Sequence, residues 1–423
     1  MTINSLQYNG LCSCGREHQM QTELCIVESG CLKKIDAILA ENGLSGYTVA
    51  VYDENTYRAT ADRHPHADKE VILSPEGLHA NEKGVALLSE QLPREAELLI
   101  AVGAGTVHDL TRYCAYQMGI PFVSCPTAAS VDGFCSSVAA MTWHGCKKTL
   151  TAVAPRLVVA DVDVIKAAPM RMTRSGFGDM IGKYVALTDW RIAHTLTGEF
   201  YCDRIADMTL SATAAVVDAA EGILRGEDAA YEKLTYGLLL SGLAMQMMGN
   251  SRPASGAEHH VSHLIEMEPE SLGLRSDALH GEKVGVGTLL VAAEYHRLKK
   301  EAPVWQDYRA TDAGEITRIF GDYLAPSIVE ENEKDAAQGI TAAAVTQSWR
   351  KICAIIDDLP TPDALLAAYR TLSVKATLSR IGVAEEKAPL LLSCSPLVRN
   401  RLTLMRLRRA LENEINPHHT RKV

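Results

Sequence analysis

Apolar residues in roughly the first 165 positions form short, uninterrupted runs separated by stretches with helical spacing. Three such runs are Tyr47–Tyr52, Leu98–Val102 and Leu157–Asp161. After the second of these runs, the stretch Thr106–Met118 repeats its apolar residues with the period of a helix. Strands that are apolar throughout and alternate with amphipathic helices are typical of a mostly parallel sheet covered on both faces. The pattern therefore predicts an α/β domain with a mostly parallel sheet.

The pattern changes near Ala167–Met170, because β-branched runs stop there and Ala, Leu, Met and Glu recur at helical spacing. A chain of 423 residues exceeds the usual size of one hydrophobic core, so we expect two domains. We predict an N-terminal Cys-rich extension at 1–19, an α/β domain at 20–168 and an all-α C-terminal domain at 169–423.

Composition narrows the class of protein. The formal net charge of −10 argues against a general nucleic-acid-binding protein, which usually carries a basic excess. No apolar run is long enough to span a bilayer, and the first residues lack the pattern of a signal peptide. Eleven cysteines, several of them in apolar runs, fit reduced thiols. We therefore expect a cytoplasmic protein with no nucleic-acid or membrane partner.

One cluster of cysteines lies near the start of the chain, in Cys12-Ser-Cys14-Gly-Arg-Glu-His18. It resembles half of a zinc knuckle, but a Cys-x-Cys with one His lacks the paired spacing of structural zinc sites. We interpret it as part of an N-terminal extension with reduced thiols and leave it out of the candidate site.

A glycine-containing turn, Gly103-Ala-Gly105-Thr-Val-His-Asp109, follows the run Leu98–Val102 and opens the next predicted helix. Glycines at such a turn let the backbone approach a pyrophosphate, and the helix N-terminus offers unpaired N–H groups. The alternative is an ordinary tight strand-to-helix turn. Asp53, at the end of another strand, is a candidate to bind an adenosine ribose, or else caps a helix.

Small hydroxyl residues follow the next predicted strand. Thr127, Ser130 and Ser136 are candidates to bind cofactor phosphate or ribose, and Asp132 to bind a substrate hydroxyl. These residues lie at the carboxyl end of the predicted parallel sheet, and sheets of this kind bind ligands at that end. A Pro-Thr and Asp-Gly turn with self-capping hydroxyl groups is the alternative.

Histidines and a carboxylate on predicted helices suggest a metal site. His259 and His263 are four residues apart and share one helix face, whereas His260 points about 100° away. His280 opens a later helix, and Asp179 lies on an earlier, mostly apolar one. One Asp and two or three His from separate helices are sufficient for a divalent metal with an open coordination position. A salt bridge from Asp179 to the lysine four residues later is the alternative.

Five motifs occur together and in order: Gly103–Asp109, Pro126–Gly133, Gly176–Asp179, Ser255–His263 and His280–Gly285. In this combination the chain resembles the sn-glycerol-1-phosphate dehydrogenases, in particular their bacterial AraM-like branch. That group belongs to the superfamily of iron-containing alcohol dehydrogenases, glycerol dehydrogenases and dehydroquinate synthases. The resemblance extends from about residue 20 to 300. It implies a Rossmann-like α/β N-terminal domain, an all-α C-terminal domain and an active site in the cleft between them.

The resemblance also implies roles for individual residues. Asp179, His259 and His280 would hold the metal; Asp132, Asp179 and His263 would contact substrate, and His263 would be the catalytic residue. NAD, with NADP as an alternative, would lie against one set of residues: Asp53, Gly105, Thr106, Val107, His108, Asp109, Thr127, Ala128, Ala129, Ser130 and Ser136.

The implied reaction interconverts dihydroxyacetone phosphate and sn-glycerol 1-phosphate, a step of phospholipid biosynthesis, with zinc or nickel as the metal. Its substrate is a small phosphorylated three-carbon compound, with Lys147, Lys148 or Arg252 as candidates to bind the phosphate, and the group suggests a homodimer. Three alternatives remain: a polyol dehydrogenase acting on unphosphorylated glycerol, a lyase like dehydroquinate synthase, and a non-catalytic nucleotide sensor.

Overall fold

The computed structural model describes residues 1–411, and its central feature is a seven-stranded sheet. Eleven strands are present in this range: β1 (Thr2–Asn4), β2 (Gly10–Leu11), β3 (Glu17–His18), β4 (Leu24–Glu28), β5 (Thr48–Asp53), β6 (Lys69–Leu73), β7 (Leu98–Gly103), β8 (Phe122–Pro126), β9 (Val138–Trp143), β10 (Cys146–Thr151) and β11 (Leu157–Asp161). The sheet has the order β1-β4-β11-β8-β7-β5-β6, and β2/β3 and β9/β10 form two separate pairs.

The sheet is mixed but mostly parallel, as the apolar runs predict. Only β1 is antiparallel to its neighbour β4, with Thr2 opposite Ile26. The neighbours β4/β11, β11/β8, β8/β7, β7/β5 and β5/β6 are all parallel. All six residues of β7 are buried, which explains why no polar residue interrupts this strand.

Sixteen α-helices lie within residues 1–411: α1 (Ile35–Glu41), α2 (Glu54–Ala59), α3 (Glu82–Ser89), α4 (Gly105–Met118), α5 (Val162–Ala167), α6 (Met170–Thr197), α7 (Asp203–Asp218), α8 (Ala220–Leu224), α9 (Asp228–Met248), α10 (Ala257–Glu266), α11 (His280–Glu301), α12 (Ala313–Glu331), α13 (Ala342–Asp357), α14 (Pro362–Leu372), α15 (Ala388–Cys394) and α16 (Leu404–Arg408). After β11, the described residues form helices joined by loops and no further strand, apart from one isolated bridge between Trp305 and Leu411.

One part of the structure differs from the sequence expectation. The range 1–19, expected as an extension, supplies β1 to the main sheet, because Thr2–Asn4 pair with Leu24–Ile26.

The chain forms two compact units, each built from discontinuous segments. Unit 1 comprises Met1–Trp143, Lys148–Met180 and Arg204–Ser251, and it contains the main sheet. Unit 2 comprises His144–Lys147, Ile181–Asp203 and the described residues from Arg252 onward. The division at 19 and 168 expected from composition stays a prediction. None of the helices within residues 1–411 is long and apolar enough to cross a membrane.

Candidate active site

The glycine turn in unit 1 joins β7 directly to α4. A Cβ atom on Gly103 would lie 2.6 Å from the Cβ of Val107, so only glycine lets the first helical turn pack back on the strand. The residue before α4, Ala104, makes no side-chain cap for the helix. The N–H groups of this first turn therefore suit an anion such as a pyrophosphate.

His108, on the second turn of α4, is buried. Its Nδ1 lies 3.0 Å from the carbonyl oxygen of Ala104, and its ring contacts Phe134 edge-on, with 4.9 Å between centroids. Burial lowers the pKa of His108 to about 3, because the imidazolium would lose its hydration. The ring is therefore neutral at physiological pH and packs inside unit 1.

The segment after β8 is anchored by a buried arginine. Arg112 on α4 donates to the carbonyl oxygens of Val138 (2.9 Å), Gly133 (2.6 Å) and Phe134 (3.2 Å). Thr127, Ala128, Ala129 and Ser130 in the same segment are buried. Arg112 thus orders the backbone on either side of Ser136, and its role was not expected from the sequence.

Asp132 and Asp179 meet in unit 1. The backbone N–H of Asp132 donates to Oδ2 of Asp179 at 3.0 Å, and the hydroxyl group of Ser241 donates to Oδ2 of Asp132 at 2.8 Å. Asp179 is fully buried. A Cβ atom on Gly176 would lie 2.1 Å from the carbonyl oxygen of Ala129, so α6 approaches this loop at a glycine.

Asp53 caps α2. Its Oδ1 accepts from the backbone N–H groups of Asn55 (2.8 Å) and Thr56 (2.9 Å), and the Thr56 hydroxyl oxygen accepts from the N–H of Asp53. The side chain has the geometry of the capping alternative. Its contact with a ribose stays a prediction.

Three histidines cluster in unit 2. His259 and His263 lie on α10, and His280 begins α11, which packs against α10. The ring centroids of His259 and His280 are 5.3 Å apart, and that of His263 is 6.0 Å from each of the other two. The helix pair therefore brings together residues 17 to 21 positions apart in the sequence.

A glutamate fixes the ring of each expected metal-binding histidine. Nδ1 of His259 lies 2.6 Å from Oε1 of Glu258, and Nδ1 of His280 lies 2.8 Å from Oε1 of Glu266. A carboxylate accepts but cannot donate, so each ring in its neutral form carries its proton on Nδ1 and has its lone pair on Nε2. This is the arrangement that orients metal-binding histidines in proteins. The two side chains are therefore chemically suited to a divalent metal.

Glu266 also contacts a lysine. Its Oε2 lies 3.1 Å from Nζ of Lys147. Burial alone would raise the pKa of Glu266, but Lys147 and His280 hold it well below its usual range, so the carboxylate is ionised. Lys147 is partly exposed, with 21% of its side chain accessible, and it remains able to contact an anion.

His263 lies beside this network and differs from it. Its Nδ1 is buried and has no hydrogen-bond partner among the described residues. Burial, and next the charge of Arg399, lower the pKa of His263 well below its ordinary value. A neutral imidazole with an unoccupied nitrogen can bind a substrate hydroxyl group.

Comparison with known proteins gives the family. The model of the iron-containing alcohol dehydrogenase family matches residues 26–169. The glycerol-1-phosphate dehydrogenase (NAD(P)+) of Bacillus licheniformis is 39% identical over 300 residues, which cover 68% of this chain and 74% of the relative. The chain belongs to the glycerol-1-phosphate dehydrogenase family. Another member, from Geobacillus thermodenitrificans, is 45% identical over 223 residues, which cover 53% of this chain and 55% of that relative.

Solved structures share the fold of this member of the glycerol-1-phosphate dehydrogenase family. The structure of a probable glycerol dehydrogenase from Sinorhizobium meliloti 1021 aligns with a TM-score of 0.61 at 18% identity, covering 90% of each chain. At that identity, the likeness concerns the fold, a mixed and mostly parallel sheet with a helix-rich remainder.

Four residues that position groups of the candidate site were not predicted from the sequence of this family member, namely Arg112, Ser241, Glu258 and Glu266. Glu258 had a local signal, since it directly precedes His259. The pairing of Glu266 with His280 spans fourteen positions and depends on the packing of two helices. The candidate Arg252 pairs with Glu199 at 2.9 Å and is 1% exposed, so its charge is already used inside unit 2.

Proposed function

We propose that this chain reversibly reduces dihydroxyacetone phosphate to sn-glycerol 1-phosphate with NAD(P) and one divalent metal. Family membership supports the reaction, since the match with a relative named glycerol-1-phosphate dehydrogenase (NAD(P)+) covers 74% of that relative's length. The observation that carries the proposal is the pair of glutamate–histidine hydrogen bonds in unit 2, which leaves two Nε2 atoms free of protons.

The metal would be held by Asp179, His259 and His280. One carboxylate and two imidazoles suit zinc, nickel or iron, and we favour zinc or nickel. When bound, the metal supplies Lewis acidity to the substrate oxygens, while a nicotinamide supplies the hydride. Glu258 and Glu266 keep the two rings in the required tautomer. Their hydrogen bonds support the proposal, since neither ring could present Nε2 reliably without them.

The dinucleotide would lie at the amino end of α4 and along the segment after β8. The uncapped first turn of α4 supports a pyrophosphate site. The residues proposed for this role are Gly105, Thr106, Val107, His108, Asp109, Thr127, Ala128, Ala129, Ser130 and Ser136, with Asp53 at the ribose. An acidic residue there would disfavour a ribose phosphate and so favour NAD over NADP.

The remaining residues would bind and orient the substrate. Asp132 would accept a substrate hydroxyl group, and the hydrogen bond from Ser241 would fix its carboxylate. His263 would accept a hydrogen bond from substrate through its neutral ring and exchange a proton with solvent. Lys147 is our candidate to bind the phosphate, because it pairs with Glu266, which in turn bonds His280.

We also propose that the α/β and helical parts form two domains with the active site between them, and that the enzyme is a cytoplasmic homodimer. These proposals follow from the family resemblance, and the formal charge of −10 is compatible with them.

A His259→Ala variant tests the site. We expect it to lose the bound metal and turnover while keeping NADH binding close to the wild-type value, because NADH would bind in unit 1. His296→Ala on α11 is the matched control and should keep both the metal and activity. Retention of full activity by the His259 variant would contradict the site assignment.

A further inference from the structure

The cysteines near the start of the chain belong to a tight hairpin. β2 and β3 pair with Gly10 opposite His18 and Leu11 opposite Glu17. In the turn, the N–H of Cys12 donates to the carbonyl of Arg16, and the N–H of Gly15 donates to the carbonyl of Cys12, both at 2.9 Å. Gly15 adopts a φ of +83°, which glycine accepts without strain. The turn therefore folds Cys12 and Cys14 back toward His18.

Three ligand atoms converge there. Sγ of Cys12, Sγ of Cys14 and a ring nitrogen of His18 all lie within 4.8 Å of one another. Sγ of Cys14 is 3.4 Å from Nε2 of His18. In a tetrahedral zinc site with ordinary bond lengths, a sulfur and a nitrogen ligand lie about 3.6 Å apart. The spacing of these donors is therefore close to that of a zinc site.

The other ring nitrogen of His18 is already fixed. Nδ1 lies 2.8 Å from the carbonyl oxygen of Met247, and a carbonyl can only accept, so Nδ1 carries the proton. The ring is 2% exposed. The basic Nε2 is thereby directed to the thiols, as the second hydrogen bond of a metal-binding histidine usually ensures.

We propose that Cys12, Cys14 and His18 bind a zinc-type divalent metal at a second, structural site. Thiolates and a neutral imidazole are the ligands that zinc prefers, and they differ from the carboxylate and imidazoles of the proposed catalytic site. Tetrahedral zinc takes a fourth donor, so one coordination position is left for water or another side chain. This inference does not depend on the proposed function.

The site has a place in the architecture of unit 1. His18 is bonded to Met247, and the N–H groups of Gln21 and Thr22 donate to Oε1 of Gln246 at 3.0 and 3.3 Å. The amide of Gln246 in turn donates to the carbonyl of Cys135. Two-residue strands are too short to be stable alone. A metal that closes the hairpin would therefore hold the end of α9 and the segment that follows Asp132.

Cobalt substitution tests the proposal, because only thiolate ligands give sulfur-to-cobalt charge-transfer absorption in the near ultraviolet. We expect this band in Co²⁺-loaded wild type, in His259→Ala and in the control Cys353→Ser. We expect its loss in Cys12→Ser and Cys14→Ser, each of which should also bind one metal equivalent fewer. Absence of the band from the wild type, or its persistence in the Cys14 variant, would overturn the proposal.

A second measurement uses only the intact wild-type protein and therefore does not require the variants to fold. After reconstitution with zinc, titration with a mercurial reagent that blocks thiols should release one equivalent, detected with a metal-sensitive dye. The proposed catalytic site contains no thiol and should keep its metal under these conditions. Release of no zinc by the mercurial would contradict the site.

Discussion

The Nδ1 atom of His280 lies 2.8 Å from Oε1 of Glu266, which is fourteen residues earlier in the chain and on a different helix. Glu266 also pairs with Lys147, so one buried carboxylate links a candidate metal ligand to a candidate phosphate-binding residue. The hydrogen bond selects the histidine tautomer, and the ion pair keeps the carboxylate charged. This relationship leads to the first prediction.

Glu266→Gln should weaken metal binding by about 10- to 100-fold, because a neutral amide orients His280 less strongly and makes its ring less basic. The dissociation constant is measured by competition with a chelator of known affinity. Glu270→Gln, an exposed position in the turn after α10, is the control and should leave the constant unchanged. If Glu266→Gln and the wild type bind the metal equally tightly, Glu266 does not position His280 for metal binding.

Ser241→Ala should lower kcat/KM for dihydroxyacetone phosphate by about 5- to 10-fold, since one hydrogen bond to Asp132 is lost. The KM for NADH should stay close to the wild-type value, because Ser241 is proposed to act on the substrate side. Steady-state kinetics measure both, and Ser211→Ala, exposed on α7, is the control. A change in the NADH constant alone would contradict the role given to Asp132.

Gly176→Ala should destabilise the protein by about 1 to 3 kcal/mol and raise the KM for NADH. The added methyl group would lie 2.1 Å from the carbonyl oxygen of Ala129, so it must displace the segment carrying Thr127 and Ser130. Urea unfolding and kinetics report the two effects. Gly133→Ala is the control, since a Cβ atom there meets nothing within 4 Å. Wild-type stability and KM in both variants would show that the close approach of α6 to this loop affects neither stability nor NADH binding.

His108 should make the protein less stable in acid. Burial depresses its pKa from about 6.5 in the unfolded chain to about 3, so the folded state binds fewer protons between these values. The free energy of unfolding is therefore highest, as far as His108 determines it, above pH 6.5. It decreases as the pH falls toward 3, by up to about 5 kcal/mol.

The pH dependence of His108 is isolated by a difference between variants. We expect the unfolding free energy of His108→Asn to fall less steeply than that of wild type between pH 6.5 and pH 4. The exposed residue His79 provides the control substitution His79→Asn, which should keep the wild-type slope. Identical slopes for all three proteins would show that His108 is not the titrating group.

The sequence predicted most of the sheet because its strands are apolar on both faces. Leu98–Val102 and Leu157–Asp161 became strands at these positions, and α4 follows β7 as expected. The hairpin of β9 and β10 was missed, since Lys147 and Lys148 break the apolar pattern. The pair His144-Gly145 was the local signal in the sequence that could have revealed the hairpin, because a glycine there suits a tight turn. In the structure the two residues form that turn, with φ values of +50° and +75°.

The candidate site was predictable only where one segment carries the signal. The helical spacing of His259 and His263 and the glycine turn before α4 are local features. Three other contacts depend on tertiary packing. They are the hydrogen bonds from Arg112 to the 133–138 backbone, from Ser241 to Asp132 and between Glu266 and His280. A single sequence contains no periodicity that records such contacts.

The most direct test of the central claim is the rate of NADH oxidation by the metal-loaded protein with dihydroxyacetone phosphate and with dihydroxyacetone. We predict fast, stoichiometric oxidation with the phosphorylated ketone, yielding sn-glycerol 1-phosphate, and a much slower reaction with the unphosphorylated ketone. Equal rates with the two ketones, or product formation without net NADH consumption, would contradict the account.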